Sequence, residues 1–126
     1  MIRLPWKAGS CDAGGGAVVV SATRFTFTRL RDLPGVFLAG LRLRRQWSAM
    51  EGAIGLSMAG RVLRRTTYTI SVWRSEAELR RFLGSPAHQR LVRRYRGRVE
   101  SSAAAQWQVE TFDLAQAWNE ARRRQL

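Results

Sequence analysis

Two stretches of alternating side chains, residues 53–59 and 66–73, are separated by only a few residues, and they restrict the possible folds more than any other feature. In the first stretch, large apolar residues alternate with small ones. In the second, apolar residues alternate with threonine, serine and tryptophan. A period of two is typical of a β-strand with two different faces. Parallel strands need a long crossover between them, so we predict that these two strands form an antiparallel hairpin.

A strand and a helix are predicted before the hairpin. Residues 17–28 are rich in β-branched and aromatic side chains, which predicts a strand. Asp32 is a suitable N-cap, and Pro34 fits the first turn of a helix. The apolar positions that follow have the spacing of one helical face: Val36, Gly40, Leu43, Trp47 and Met50.

A second helix and a last strand are predicted after the hairpin. Ser75 and Glu78 form a capping box, and Ser85 with Pro86 restarts the helix after a short interruption. Residues 103–112 predict a strand, and Asp113 caps a short terminal helix. The order predicts an α+β fold of the ferredoxin-like β-α-β-β-α-β type. Its four-stranded antiparallel sheet would carry both helices on one face.

The chain of 126 residues fits one domain, which we assign to residues 17–126. Residues 1–16 contain Pro5, Gly9 and a glycine run without periodicity, so we expect a flexible N-terminal segment. The single cysteine, Cys11, excludes an internal disulfide and favours a reducing compartment. No apolar run suggests a signal peptide or a membrane span, so we expect a cytoplasmic protein.

The chain is strongly basic, with a net charge of +13 and arginine at every basic position except Lys7. The arginines are spread along the chain, with denser groups at 42–45, 64–65, 90–98 and 122–124. One interpretation is that they occupy solvated helix faces and strand ends. The other is that they attract an anionic substrate, nucleic acid or membrane surface.

One face of the predicted sheet combines aromatic rings with small hydroxyl side chains. If Val18, Val20 and Ala22 face the helices, the other side presents these residues: Ser21, Thr23, Phe25, Phe27, Gly55, Ser57, Thr69, Ser71 and Trp73. Such a face is too apolar to lie bare in water and too polar for a tight core. We therefore expect a second copy of the chain to cover it across a cavity, in a two-fold homodimer.

The sequence around the second predicted helix resembles a known superfamily. The segments TISVWRSEAELRRF at 69–82, GSPAH at 84–88 and GAIGLS at 52–57 are similar to the dimeric α/β-barrel proteins of the antibiotic biosynthesis monooxygenase type. The same region resembles spheroidene monooxygenase, a carotenoid oxygenase. This resemblance implies a fold that pairs as a dimeric α/β barrel.

The resemblance also implies an activity. Antibiotic biosynthesis monooxygenases need no metal or flavin, because the deprotonated substrate itself reduces oxygen. We therefore expect a monooxygenase that acts on a small apolar or polycyclic substrate in a cavity between sheet and helices, without a cofactor. Two alternatives stay open: a non-redox enzyme or ligand-binding protein on the same scaffold, and a haem-binding protein similar to spheroidene monooxygenase.

His88 is the only histidine and the candidate catalytic residue. It falls at the third position of the helix that Ser85 and Pro86 begin, where the helix dipole favours a neutral imidazole. Three interpretations remain for it: a packed, hydrogen-bonded side chain at a helix start, a general base or substrate contact, and a haem ligand. Without a second histidine or a cysteine cluster, the sequence predicts no other metal site.

The candidates for substrate binding lie on predicted strands: Trp73, Ser71, Thr69, Thr23, Arg24 and Trp107. Each tryptophan either anchors helix to sheet or forms a wall for a planar substrate. Arg24, taken to end the first strand, is either a surface residue or holds an anionic group of the substrate. The hydroxyl residues are candidates for the lining.

A nucleic-acid-binding module shares the same order of elements and would suit a basic chain. RNA-recognition domains carry a Lys/Arg-Gly-aromatic run with stacking aromatics on the third strand. Residues 65–73 contain no such glycine and have hydroxyl side chains where rings are needed. The sequence therefore argues against nucleic acid as the partner.

Overall fold

The computed structural model describes residues 1–12 and 16–126. The strands are β1 (Ile2–Arg3), β2 (Lys7–Ala8), β3 (Val18–Phe27), β4 (Ala53–Arg61), β5 (Thr66–Trp73) and β6 (Val99–Val109). The helices are α1 (Leu33–Gln46), α2 (Glu76–Leu83), α3 (Pro86–Tyr95) and α4 (Leu114–Arg123). Short 3-10 turns precede α1, follow it, and link α3 to β6.

The predicted ferredoxin-like fold is confirmed. The four long strands lie in the order β4-β5-β3-β6, and each neighbouring pair is antiparallel. The β4–β5 hairpin forms as the alternation predicts, and β5 has the predicted bounds. The last strand begins earlier than predicted, at Val99, because pairing with β3 extends it through polar residues that carry no alternating pattern.

Part of the N-terminal segment, which we expected to be flexible, pairs with the sheet. β1 and β2 pair with the outer edge of β4, with Arg3 opposite Ala59 and Ala8 opposite Gly55. Backbone hydrogen bonds from Gly9 and Cys11 to β4, both 2.9 Å, continue this edge. Two-residue strands cannot show periodicity, which is why the sequence pattern missed them. The expected flexibility of residues 13–15 lies outside the described residues.

The prediction of which face of the sheet lies beneath the helices of the same chain is wrong. Ser21 lies opposite Ser71 and Thr23 opposite Thr69, so these four residues share one face of the sheet, the hydroxyl face. Met58 lies opposite Thr69 on that face, and its Cε contacts Gly40 of α1. The hydroxyl face therefore lies beneath the helices of the same chain. Gly55 and Ser57, expected there, are on the other side of the sheet, because Leu56 and Met58 take the inner positions of β4.

The opposite side of the sheet, the valine face, is defined by Val18, Val20 and Val72. The terminal helix α4 covers it, and its apolar side packs Ala117, Trp118 and Ala121 into this cluster. The sequence predicted α4 but not its position. The sheet thus has helices on both faces, instead of one face left for a partner.

Two of the predicted helix caps form differently from expectation. The Asp32 carboxylate does not cap α1; it is buried and binds Arg98 at 2.7 Å, which ties the start of α1 to the start of β6. Ser75 caps α2 by accepting from the Glu78 backbone N–H. The Glu78 carboxylate binds the Ser75 hydroxyl and Arg74 instead of reaching back to a backbone N–H. Stronger charged or hydroxyl partners displaced the expected backbone contacts in both cases.

Among the described residues, no helix has the length and apolar character needed to cross a membrane.

The packing of Trp6 on Gly55 gives a test of the docked N-terminus. A Cβ at Gly55 would overlap the Trp6 ring, which stacks on Phe112 at 5.3 Å. We expect Gly55→Val to lower the free energy of unfolding by about 1–3 kcal/mol in urea titrations, because the added methyl groups expel Trp6. In a Trp6→Ala background the same substitution should cost much less.

Gly97→Ala is the matched control, since a Cβ at Gly97 meets no atom within 4 Å. That control should change the unfolding free energy by no more than about 0.5 kcal/mol. Equal costs for Gly55→Val with and without Trp6 would show that the segment is not docked there.

Candidate functional site

Four hydroxyl side chains form a continuous patch at the centre of the sheet, beneath α1 to α3. Ser21 and Ser71 are buried, whereas Thr23 and Thr69 keep part of their surface exposed. Both threonines lie on strands that have a neighbour on each side, where a closed core would bury them completely. Phe25, farther along the same face, is 39% exposed. The layer between helices and sheet is therefore closed near the serines and open near the threonines.

An aromatic cluster closes the serine end of this layer. Trp47, which follows α1, packs against Trp73 of β5 at 5.0 Å and against Phe82 of α2 at 6.1 Å. Trp73 and Phe82 are 5.3 Å apart. Both tryptophan side chains are completely buried. Trp73 therefore anchors the helices to the sheet at the packed end of the layer.

The two buried indole N–H groups differ in their partners. Trp73 Nε1 donates to the Ser71 hydroxyl at 3.0 Å. Trp47 Nε1 is buried and has no acceptor among the described residues. An unpaired buried donor costs roughly 1–3 kcal/mol, so this position favours a water or a ligand oxygen as its acceptor. The sequence analysis placed Trp47 on the inner face of a helix and did not identify it as a site residue.

His88 borders the aromatic cluster. Its ring lies 5.0 Å from that of Phe82, and its Nδ1 is 3.0 Å from the Leu83 carbonyl oxygen. A carbonyl oxygen can only accept, so Nδ1 carries the hydrogen and donates it. The neutral ring therefore has its lone pair on Nε2, which is free to accept a proton or to bind a metal. The Ser85 hydroxyl accepts from the His88 backbone N–H and fixes this helix start.

A charged pair lies at the end of β5, next to Trp73. Arg74 binds the Glu78 carboxylate at 2.8 Å. This hydrogen bond lowers the pKa of Glu78 below its usual range, although burial acts in the opposite direction. The same contact raises the pKa of Arg74. Glu78 is therefore a permanent carboxylate at neutral pH and cannot serve as a general acid there.

Arg24 and Trp107 lie on the valine face, away from the four hydroxyl residues and Trp73. Arg24 is in the middle of β3 and not at its end. Its guanidinium donates to the Ser101 hydroxyl at 3.2 Å and to the Gln125 carbonyl at 3.4 Å. The structure thus divides the six predicted binding residues between two sides of the sheet.

Trp107 lines a cleft of about 420 Å³ between β6 and α4. The Arg124 guanidinium lies 4.9 Å from the centre of its ring. The cleft is open, with charged residues of α4 along one wall, and is separated from His88 by the sheet. We place the candidate site on the hydroxyl face because His88, the hydroxyl patch and the unpaired Trp47 donor all belong to that side.

Gln106 also belongs to the hydroxyl face and was missed by the sequence analysis. It lies opposite Ser21 on β6, and its side chain is exposed. The alternation of glutamine with apolar residues over 106–109 was the available signal in the sequence. No group of three or more metal-ligating side chains occurs within residues 1–12 and 16–126.

Comparison with solved structures shows the same fold in several proteins of low sequence identity. A protein from Fusobacterium nucleatum, provisionally named a monooxygenase, has a TM-score of 0.69 at 9% identity over 84% of this chain and 48% of its own. SnoaB, a cofactor-independent oxygenase from Streptomyces nogalater, has a TM-score of 0.57 at 15% identity, over 79% of this chain and 98% of its own.

A dimeric ferredoxin-like protein of unknown function from Thermobifida fusca has a TM-score of 0.61 at 11% identity, over 75% of this chain and 92% of its own. This chain spans about half the length of the Fusobacterium protein. It matches no protein-family model and no curated protein. At these identities the comparisons establish the fold alone: this chain shares the ferredoxin-like α+β architecture of these proteins.

Proposed function

We propose that this chain is a cofactor-independent monooxygenase that binds a small planar apolar substrate between its hydroxyl face and its helices. The observation that carries the proposal is the partial exposure of Thr23 and Thr69 on internal strands beneath a helical layer. A closed core would bury hydroxyl groups at these positions completely. A substrate cavity, in contrast, combines apolar walls with a few polar groups. The fold shared with SnoaB, an oxygenase that needs no cofactor, supports the same activity.

In this mechanism His88 is the general base. Its Nε2 accepts a proton from an acidic C–H group of the substrate, and the Leu83 carbonyl stabilises the imidazolium through Nδ1. The substrate carbanion then supplies the electrons that reduce oxygen. A CH₂ group and O₂ give a carbonyl group and water, so the reaction balances without an external reductant.

Buried polar groups on the same side of the sheet would position the substrate. The threonine hydroxyls can bind phenolic groups, whereas the unpaired Trp47 Nε1–H lies at the closed end of the layer, at the inner limit of the substrate space. The Trp47, Trp73 and Phe82 rings form an apolar end wall that suits a polycyclic molecule. Arg24 and Trp107 have no role in this arrangement, because they lie on the valine face.

Haem is the alternative cofactor. His88 would hold the haem iron through Nε2, with its Nδ1–H bonded to a carbonyl as in many metal-binding histidines. A bound haem would supply oxygen binding and activation. An absorption spectrum of the purified protein distinguishes the two possibilities, since only the haem form absorbs strongly in the visible range.

The activity is testable with dithranol, a tricyclic anthrone with an acidic CH₂ group. We expect the protein to consume oxygen with this substrate in an oxygen electrode. His88→Ala should lower kcat by roughly a hundredfold or more, because it removes the base but not the cavity. Asn119→Ala, an exposed position on α4, is the control and should leave the rate unchanged.

Two other outcomes would contradict parts of this proposal. Unchanged oxygen uptake in His88→Ala would contradict the assignment of the base. Quenching of tryptophan fluorescence by dithranol without any oxygen uptake would contradict the oxygenase and favour the ligand-binding or non-redox alternative.

We also propose that the chain forms a homodimer. The outer edge of β6 has no strand partner among the described residues over its 11 residues, and the similar Thermobifida fusca protein is dimeric. A long unpaired edge is a template for pairing with a second chain. We expect light scattering to give twice the chain mass of 14.3 kDa. A mass of one chain at micromolar concentration would contradict the dimer.

A further inference from the structure

The turn between β4 and β5 presents two aliphatic side chains to solvent. Leu63 is 90% exposed and Val62 is 48% exposed. Hydrogen bonds from Arg64 N to Arg61 O at 3.2 Å and from Arg65 N to Val62 O at 3.0 Å close the turn. The backbone therefore holds both apolar side chains at its tip, where they contribute nothing to the core.

Arg65 fixes this turn to the body of the protein. Its backbone lies in the left-handed region, with φ of 54°, which glycine occupies more easily than arginine. Its Nε donates to the Phe27 carbonyl at 2.9 Å, and the Phe27 N–H donates back to the Arg65 carbonyl at 2.8 Å. A contact of 3.7 Å to Glu100 adds a third anchor. The exposed tip is thus held in one orientation beside the end of β3.

The same end of the sheet is rich in arginine. The β4–β5 turn, the segment after β3 and the turn before β6 meet here, as the pairs Thr26–Thr66 and Phe27–Val99 show. These segments carry Arg29, Arg31, Arg61, Arg64, Arg65, Arg96 and Arg98. Their acidic residues, Asp32 and Glu100, already bind Arg98 and Arg65. Within the described part of the chain, Arg29, Arg31, Arg61 and Arg64 have no carboxylate within 4 Å.

We propose that this end of the sheet is a docking surface for an anionic lipid bilayer. Leu63 and Val62, together with Leu30, which is 50% exposed, would enter the interface between headgroups and acyl chains. The surrounding arginines would lie at the level of the lipid phosphates, where each basic residue adds to binding. This proposal rests on the surface alone and does not depend on the proposed oxygenase activity.

The chemistry of the surface favours a membrane over other anionic partners. Single-stranded nucleic acid is bound by aromatic rings that stack on bases, and the exposed apolar residues of the turn itself, Val62 and Leu63, are aliphatic. A cleft of about 300 Å³ at this end is lined by Arg29, Arg31 and Arg98, of which Arg98 binds Asp32, but a small anion bound there would use none of the exposed aliphatic side chains. An anionic bilayer offers phosphates to the arginines and hydrocarbon to Val62, Leu63 and Leu30 on one surface.

Vesicle co-sedimentation tests the proposal on the complete chain. We expect binding to phosphatidylcholine vesicles that contain about a third phosphatidylglycerol, weakened by salt, and little binding to pure phosphatidylcholine. Val62→Ser with Leu63→Ser removes the apolar tip at constant charge and should weaken binding on the order of tenfold. Arg61→Gln with Arg64→Gln should weaken it to a similar extent.

Arg42→Gln with Arg45→Gln is the matched control. Both residues are exposed in the C-terminal half of α1, which leads away from this end of the sheet, and neither forms an ion pair. This pair removes the same charge and should affect binding much less. Thermal unfolding of each variant confirms that the fold is retained.

Three results would overturn the proposal. Equal losses from the two arginine pairs would mean that net charge alone attracts the vesicles. Tighter binding to polyuridylate than to vesicles, unaffected by Leu63→Ser, would assign the surface to nucleic acid. A fall in molecular mass in Val62→Ser with Leu63→Ser would assign the tip to contacts between copies of the chain.

Discussion

Three aromatic rings join the helical layer to the hydroxyl face of the sheet, and the arrangement of the candidate site depends on them. Trp47 follows α1, Trp73 ends β5 and Phe82 lies in α2, so their contacts connect α1 to the consecutive elements β5 and α2. Because the rings fill one end of the layer, the helices are tight there and leave the part near Thr23 and Thr69 partly open, whereas Phe27 beyond them is buried against Tyr95 of α3. His88 is positioned by the same cluster, since its ring packs on Phe82.

The sequence predicted the elements well because their signals are local. The alternation over 66–73 predicted β5 with its observed bounds, and α3 begins at Ser85 and Pro86 as expected. The assignment of faces failed because alternation distinguishes two sides of a strand without showing which helix covers each. The answer depended on α4, whose Trp118 packs on the valine face through contacts remote in the sequence. His88 was identified because it is the only histidine, whereas the orientation of its lone pair required the Leu83 carbonyl.

The exposed part of the hydroxyl face lies close to the arginine-rich end of the sheet, although Phe27, buried against Tyr95, closes the last position of β3. Phe25 and Thr67, on the hydroxyl face, directly precede and follow the Thr26–Thr66 pair from which the basic turn begins. An apolar substrate would be concentrated in a bilayer and scarce in water. Docking through Leu63 would bring Phe25 and the exposed part of the hydroxyl face close to the membrane surface. The valine face is covered by α4 and takes no part in this arrangement.

The chain's own helices cover the hydroxyl face tightly near Ser21 and Ser71 and loosely near Thr23 and Thr69. Thiol labelling measures this difference directly, with Thr69→Cys and Ser71→Cys introduced separately in a Cys11→Ser background. The structure predicts that a small maleimide modifies the cysteine at position 69 faster than that at position 71, by roughly an order of magnitude or more. Equal and slow reaction at both positions would contradict the open cavity. Equal and fast reaction would contradict the helical cover itself.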